Sequence, residues 1–488
     1  MLSSIVLRRL SSTMASHPPK DPIVVVIGAT GTGKSKLAVQ LATRFNGEII
    51  NGDAMQMYKG LPIITNKMPD DERNGIPHHL LDFIGLDENP WTVNRFVKES
   101  SRLIDEIRSR GKLPIVVGGT HYYTHALLFK EATLTEETGD NNGPDGGISE
   151  PAQEDHPMLS RPTEELFAKL QEIDPDMAAR WHPNDRRKIQ RSLQIWLQTG
   201  RKASDVYAEQ QRRTTNGHGK GGEGDDIDGA TQPANSAQVE EQRLRYPTLL
   251  LWLEAEDRAL KERLNARVDV MVANGLADEA ASMTRLEADL RSRGIPVDKT
   301  KGIWVSIGYK EMEPWIQSQQ SLDSDSSHAS SSRGLQDAIE SVKAGTRRYA
   351  KRQNRYIRIR LANDLVKASM LDKLFLLDCS DLTHWDSAVE ETASKLVASF
   401  LSGRALPDPR SISNFAERML PVPGEGESQA KRTARRCEVC DKVLMTDAEW
   451  SGHLASRGHK KTVAAHRKRD LAGSKAGHEK SLPEGPGG

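Results

Sequence analysis

Residues 28–35 read Gly-Ala-Thr-Gly-Thr-Gly-Lys-Ser, directly after the apolar run IVVVIG (23–28) and directly before SKLAVQLATRF (35–45). Strand, glycine loop and amphipathic helix in that order make the phosphate-cradling pattern G-x-x-x-x-G-K-[ST]. Gly28, Gly31 and Gly33 leave room for backbone amides to approach phosphate oxygens, and the following helix adds the positive end of its dipole. Lys34 supplies a point charge and Ser35 a hydroxyl able to hold Mg²⁺. The octet does not say whose phosphate is held. An ATP-using kinase carries the same loop, so the rest of the chain has to decide.

Outward from the loop, strand-like and helical segments alternate. GEIINGD (47–53), KLPIVVGGT (112–120) and KLFLLDCS (373–380) read as strands, and VNRFVKESSRLIDEIRSRG (93–111) as a helix. Buried strands alternating with helices imply parallel β-α-β units, with ligands at the carboxyl ends of the strands. The phosphate loop, Asp53 and Gly118–Thr120 each follow a strand, so they are expected in one crevice. Stretches at about 133–158, 213–241 and 318–334 are rich in Gly, Ser, Asp and Asn and read as disordered surface insertions. The predicted fold is an α/β, P-loop NTPase-like parallel sheet core from 22–130 and 247–405. A helical insertion domain at 131–246 splits it. A linker follows at 406–430, then a ββα-type zinc finger at 431–470 and a tail at 471–488.

The chain has 488 residues, formal net charge zero and three cysteines. It is long enough for several domains, is no obvious polyanion binder as a whole, and has too few cysteines for a disulfide framework. No apolar run is long enough to span a bilayer, so no membrane is expected. The start, MLSSIVLRRLSSTMASHPPK (1–20), is basic, serine-containing and free of acids. It resembles a mitochondrial targeting segment over 1–21, with Met14 as a second start. Localisation is thus expected to be mitochondrial, cytoplasmic or both, with the nucleus a further destination.

Several motifs carry chemistry. Asp53 at a strand end reads as a Mg²⁺ carboxylate, a general base or a turn cap. No GTPase base-reading loop is present, because Asn66-Lys67 is followed by Met-Pro. His78 and His79 are adjacent, which favours a structural or positioning role over metal binding. GTRRYAKRQNRYIRIR (345–360) holds seven basic residues and no acid. Arg348, Lys351, Arg352 and Arg355 share a helical face with interleaved Tyr349 and Tyr356, a pattern suited to RNA phosphates. Cys437, Cys440, His453 and His459 follow C-x2-C-x12-H-x5-H, the ligand set of a structural Zn²⁺. Basic flanks make that finger an RNA binder in this reading, with protein binding as the alternative. Cys379 reads as a core residue.

Taken together, GATGTGKS (28–35), NGDAMQMYKGLPIITNK (51–67), GIPHHLLD (75–82), VVGGTHYY (116–123), DPDMAARWHPNDRRKIQRSLQIWLQTGRKASD (174–205), SIGYKE (306–311) and TRRYAKRQ (346–353) resemble the tRNA dimethylallyltransferase family, also called tRNA isopentenyltransferases. The terminal finger is similar to that of eukaryotic members. The resemblance implies transfer of a dimethylallyl group from its diphosphate to N6 of adenosine 37 in tRNA, giving N6-isopentenyladenosine and diphosphate. It implies that Gly28, Ala29, Thr30, Gly31, Thr32, Gly33, Lys34 and Ser35 grip the donor's diphosphate with Mg²⁺, and that Arg267 assists. Asp53 is implied as the base, and Thr120 as a contact near the bridging oxygen. Catalysis would rest on Asp53, Thr120 and Lys34. Contacts to the tRNA anticodon stem-loop are implied for Asp53, Ala54, Met55 and Gln56; for Gln190, Arg191, Ser192, Leu193 and Gln194; and for Arg347, Arg348, Lys351 and Arg352. A monomer is expected. Two rivals stand beside this reading: a P-loop kinase of a nucleotide or small molecule, and a nucleic-acid-binding module with a vestigial loop.

Overall fold

The computed structural model describes residues 17–129, 156–215, 244–320, 328–420 and 435–466. Residues 1–16 of the expected targeting segment, most of the first two low-complexity stretches, 321–327 of the third, 421–434 and the tail beyond 466 lie outside the described residues. Two compact units are formed, one by Met1–Leu134 with Gly229–Gly426 and one by Thr135–Asp228 with Glu427–Gly488.

The first unit is built on a six-stranded parallel sheet. Its strands are β1 (Ile23–Gly28), β2 (Gly47–Asn51), β3 (His78–His79), β4 (Leu113–Val117), β5 (Thr248–Glu254) and β6 (Leu374–Asp378), in the order β3-β2-β4-β1-β5-β6. Val24 and Val26 enter one packed layer while Val25 and Ile27 enter the other. Side chains alternate across a strand, so a strand covered on both faces must be apolar throughout. That is why IVVVIG and TLLLWLE show no polar alternation.

Helices α1 (Lys34–Arg44), α2 (Val93–Ser109) and α3 (His121–Leu128) connect the first strands. Thr92 caps α2 by accepting from the Arg95 amide at 3.4 Å. Phe96, Ile104 and Ile107 of α2 are fully buried against the sheet.

In the second unit, α4 (Thr163–Ile173), α5 (Pro175–Arg180), α6 (Arg186–Thr199) and α7 (Ala203–Thr215) enclose a small core of Leu166, Leu170, Met177, Ile189, Leu193 and Ile195. Buried Asp174 organises it. One of its oxygens caps α5 through the Met177 amide at 3.1 Å, and the other takes the Ser204 amide at 2.8 Å.

Back in the first unit, α8 (Asp257–Ala273), α9 (Leu276–Ser292) and α10 (Tyr309–Gln320) lead into α11 (His328–Tyr356). A single π turn, Ile357–Leu361, joins α11 to α12 (Ala362–Lys367). After β6 come α13 (Thr392–Leu401) and α14 (Asn414–Met419). Two sequence expectations change here. Residues 328–334, read as part of a disordered insertion, form the first turns of α11. Residues 406–420, read as linker, include α14, whose Phe415 and Ala416 are buried with Leu420 in the main core. Those apolar residues sit on one face of a short helix, so they dock instead of remaining solvated.

The finger completes the second unit. Strands β7 (Arg435–Cys437) and β8 (Lys442–Leu444) pair antiparallel and precede α15 (Asp447–Ala455), capped by Thr446. Among the described residues no helix is long and apolar enough to cross a membrane.

Candidate active site

The phosphate loop leaves β1 and enters α1 as the octet requires. Its backbone is locked from within: the Thr32 hydroxyl donates to the Ala29 carbonyl at 2.8 Å, and the Lys34 ammonium to the same oxygen at 2.7 Å. Two arginines of α8 brace it from outside. Arg267 donates to the Thr30 hydroxyl at 2.9 Å, and Arg263 reaches the Gly31 carbonyl at 3.1 Å and the Cys379 carbonyl at 2.8 Å. Burial pulls the Lys34 ammonium down to about 8; the Asp53 carboxylate opposes that shift and Arg267 adds to it. Lys34 and Asp53 therefore act on each other's charge across one crevice.

Asp53 stands just past β2, on a turn tied down by Asn51. The Asn51 side chain accepts from the Asp53 amide at 3.0 Å and donates to the Leu80 carbonyl at 2.8 Å. One Asp53 oxygen accepts the Met55 amide at 3.0 Å. Burial pushes the carboxyl above its usual range, against the pull of the Met55 amide and of Lys34. Asp53 thus caps its turn, one of the readings its place at a strand end allows, and its carboxylate is also influenced by the lysine.

Thr120, just past β4, joins the two loops: its hydroxyl accepts the Ala54 amide at 3.0 Å. The Gly118 backbone lies against that of Gly52, so closely that a Cβ on Gly118 would fall 2.2 Å from the Gly52 carbonyl carbon. No other residue fits there.

Helix α11 supplies Gln353, which sequence reasoning did not single out, and Tyr349, which it read only with the basic face; α3 supplies His121. Gln353, 4 % exposed, accepts the Thr30 amide at 2.8 Å and donates to the Gly119 carbonyl at 2.9 Å. A Cβ on Gly119 would strike both Gln353 and Asp53. Burial raises the Tyr349 phenol far above its normal range, with Asp53 adding to the shift; Thr120 and Gln353 hydrogen-bond to it. Buried His121 is pushed down to about 3 by burial and by Lys34, so its ring is neutral. A signal was available for Gln353 and for the inward side of Tyr349. Tyr349 and Gln353 are four apart in TRRYAKRQ, on the face opposite Arg348, Lys351, Arg352 and Arg355.

Those four basic residues are exposed, whereas Arg347 turns inward to Asn265. The Arg352 guanidinium lies 5.9 Å from the Tyr349 ring centre. Ala54 and Met55 follow Asp53 on the same turn. Gln56 bends back to the Thr65 and Asn66 carbonyls at 3.3 and 3.2 Å.

The second group of tRNA candidates divides. Leu193 is wholly buried in the helical core, Gln194 is buried, and Ser192 accepts from the Trp181 indole at 3.0 Å. Ile189, Ser192 and Leu193 stand at i, i+3, i+4 on the inward face of α6, and Gln194 is buried beside them. The Gln190 amide donates to the Leu159 carbonyl at 2.9 Å, and Arg191 pairs with Gln194 at 3.3 Å; both remain partly exposed. His79 bonds Glu48 at 2.7 Å and His78 the Ile76 carbonyl at 2.8 Å, which makes the pair structural. Cys379 is fully buried, its thiol pushed up to about 11 by burial.

In the finger, Cys437, Cys440, His453 and His459 bring one ligand atom each within 4.8 Å of one another. Two sulfurs and two imidazole nitrogens at that spacing fit a tetrahedral, protein-filled Zn²⁺ site.

Sheet, glycine loop and buried carboxylate define a P-loop α/β protein. A family model described as IPP transferase matches residues 56–360. The tRNA dimethylallyltransferase of Schizosaccharomyces pombe is 36% identical over 464 residues, covering 92% of this chain and 96% of its own. That of Mus musculus is 34% identical, covering 95% and 90%. A solved structure described as a eukaryotic dimethylallyltransferase acting on tRNA aligns with a TM-score of 0.68 at 31% identity, over 93% of this chain and 100% of that one. The chain belongs to the tRNA dimethylallyltransferase family.

Proposed function

We propose that this chain is a prenyltransferase that moves a dimethylallyl group from dimethylallyl diphosphate to N6 of adenosine 37 in tRNA, giving N6-isopentenyladenosine and diphosphate. The observation that supports this reading is geometric: Gln353 ties the phosphate loop at Thr30 to Gly119, and a Cβ on Gly119 would lie 2.8 Å from the Asp53 carboxylate, so loop and carboxylate share one crevice. The amides of Gly28–Ser35, Lys34 and Arg267 hold the diphosphate. The Ser35 hydroxyl is the donor suited to Mg²⁺, with diphosphate and water supplying further oxygens. Bound Mg²⁺ would neutralise charge on the departing diphosphate.

The N6 amine forms its bond to the allylic carbon as the bond from that carbon to the bridging oxygen breaks. Asp53 takes the proton the nitrogen sheds. A late-acting base needs no extreme basicity, and a carboxylate suffices. Thr120 donates toward the bridging oxygen, with Tyr349 and Gln353 fixing the surroundings. The target nucleotide must leave its stack to reach them. Arg348, Lys351 and Arg352 supply phosphate contacts, and Ala54–Gln56, Gln190 and Arg191 further contacts to the anticodon stem-loop. The zinc finger, whose metal is structural, adds a basic grip on RNA. We propose that the protein acts as a monomer in mitochondria, the cytoplasm or both.

The test is direct. Unmodified tRNA incubated with the protein, Mg²⁺ and dimethylallyl diphosphate should yield N6-isopentenyladenosine by nucleoside mass spectrometry. Unchanged tRNA together with ATP consumption would favour a kinase instead.

A further inference from the structure

The loop after β6 returns to the phosphate loop and closes one flank of it. Arg263 fastens the start of that loop, bonding the Cys379 and Ser380 carbonyls with one nitrogen and the Gly31 carbonyl with the other. Trp385 fastens the end. Gly33 has φ 87°, and a Cβ added there would lie 2.5 Å from the far edge of the Trp385 indole. The indole is 4 % exposed, donates to Gln40 of α1 at 3.1 Å, and has the Lys36 ammonium over its face at 4.8 Å. Gln40 is held in turn by Glu390. With one face under Lys36 and its nitrogen engaged, this ring is a fixed wall and offers no open stacking platform.

A phosphate loop gives a bound polyphosphate two ends. The lysine serves the β/γ end, and the α end with its nucleoside passes the first turn of the helix. In this chain the lysine end faces Asp53, and Gly33, Lys36 and Trp385 bound the other. If Asp53 receives the proton shed by the nitrogen as it bonds to the allylic carbon, the substituted phosphate points to Asp53 and the free terminal phosphate points to Trp385. We propose that Trp385 is a specificity-determining residue: its indole fills the flank through which a nucleoside esterified to the bound phosphates would leave. The loop then accepts a diphosphate substituted only on the Asp53 side and refuses ADP and ATP. This rests on the diphosphate reading above.

The test titrates the full-length protein with inorganic diphosphate and with ADP, each with Mg²⁺, by calorimetry. Wild-type protein should bind diphosphate about 100-fold more tightly than ADP, and Trp385→Ala should narrow that ratio by about tenfold or more, equivalent to about 1.4 kcal/mol. Trp385→Leu, which keeps an apolar side chain but lacks the ring that meets Gly33, carries the same expectation if the alanine variant fails to fold. A folded variant with an unchanged ratio, beside a wild type that favours diphosphate, overturns the role of Trp385 alone. A wild type that binds ADP tightly and diphosphate not at all overturns this proposal and the diphosphate reading together.

Discussion

Gln353 donates to the Gly119 carbonyl at 2.9 Å while its oxygen holds the Thr30 amide, so one side chain spans the phosphate loop and the loop that carries Thr120. Gln353→Glu removes the donor and sets a negative charge beside the diphosphate. The expected result is a fall in kcat/KM for the allylic diphosphate of roughly 10–100-fold, or about 1.4–2.7 kcal/mol. Steady-state kinetics on a variant with native circular dichroism would check it, and unchanged kinetics would count against the brace.

Asp53→Asn keeps the side-chain volume and an oxygen for the Met55 amide, but removes the base. Turnover should fall by about 10²–10⁴-fold, while tRNA affinity stays near wild type. Single-turnover assays paired with filter binding separate the two. Equal loss of both would mean that Asp53 organises the site without acting as the base.

Charge at Lys34 gives the pH profile its alkaline side. Its ammonium is lowered to about 8, so the charge that attracts diphosphate is present below that value and disappears as pH rises through it. Asp53, raised from its ordinary range, must be ionised to act as base and sets the acid side. The profile of kcat/KM, which reports the free enzyme, should therefore be bell-shaped with its falling limb near pH 8. Lys34→Arg should shift that limb upward, and a profile flat through pH 9 would refute the assignment.

Glu48 on β2 binds Arg110, Lys112 and His79. Burial opposes its ionisation, but hydrogen bonds from Arg110, His79 and Lys112 prevail and hold the carboxyl at about 2. Because the folded value lies below the unfolded one, the stabilisation is complete above pH ~4.5 and fades as pH falls toward 2. Glu48→Gln should cost about 2 kcal/mol at pH 7, less than a fully buried pair because its partners are partly exposed. Urea midpoints of the two proteins should converge with acidification.

Cys437→Ser removes one of four zinc ligands. The variant should lose its metal, bind tRNA about tenfold more weakly and show a shallower salt dependence, with diphosphate affinity unchanged. Metal analysis and binding across a salt series read this out. Retention of full tRNA affinity without zinc would assign the finger to a protein partner.

The phosphate loop, three of the four long core strands flanking it and the finger were legible because each is fixed by local pattern: glycine spacing, continuous apolar runs, ligand spacing. Strand β5 was passed over although Thr248–Glu254 is as apolar as β1; its place between β1 and β6 is a property of the whole sheet. Two-residue β3 carries no periodicity at all. Gln353 is not singled out, and Tyr349 is read only with the RNA-facing side, because the basic residues around them dominate the composition and only packing reveals the inward face. Leu193 was grouped with RNA contacts by motif, yet the period of α6 buries it in its own unit. What the sequence hid is chiefly which side of a helix meets which loop.

Where Gly118 meets Gly52 there is no side chain to compress, rotate or be trimmed. The turns bearing Asp53 and Thr120 consequently share one rigid seam, and the interval between them is inherited from neighbouring strands of the sheet. A change of length in the chain between 130 and 243 would leave that interval where it is.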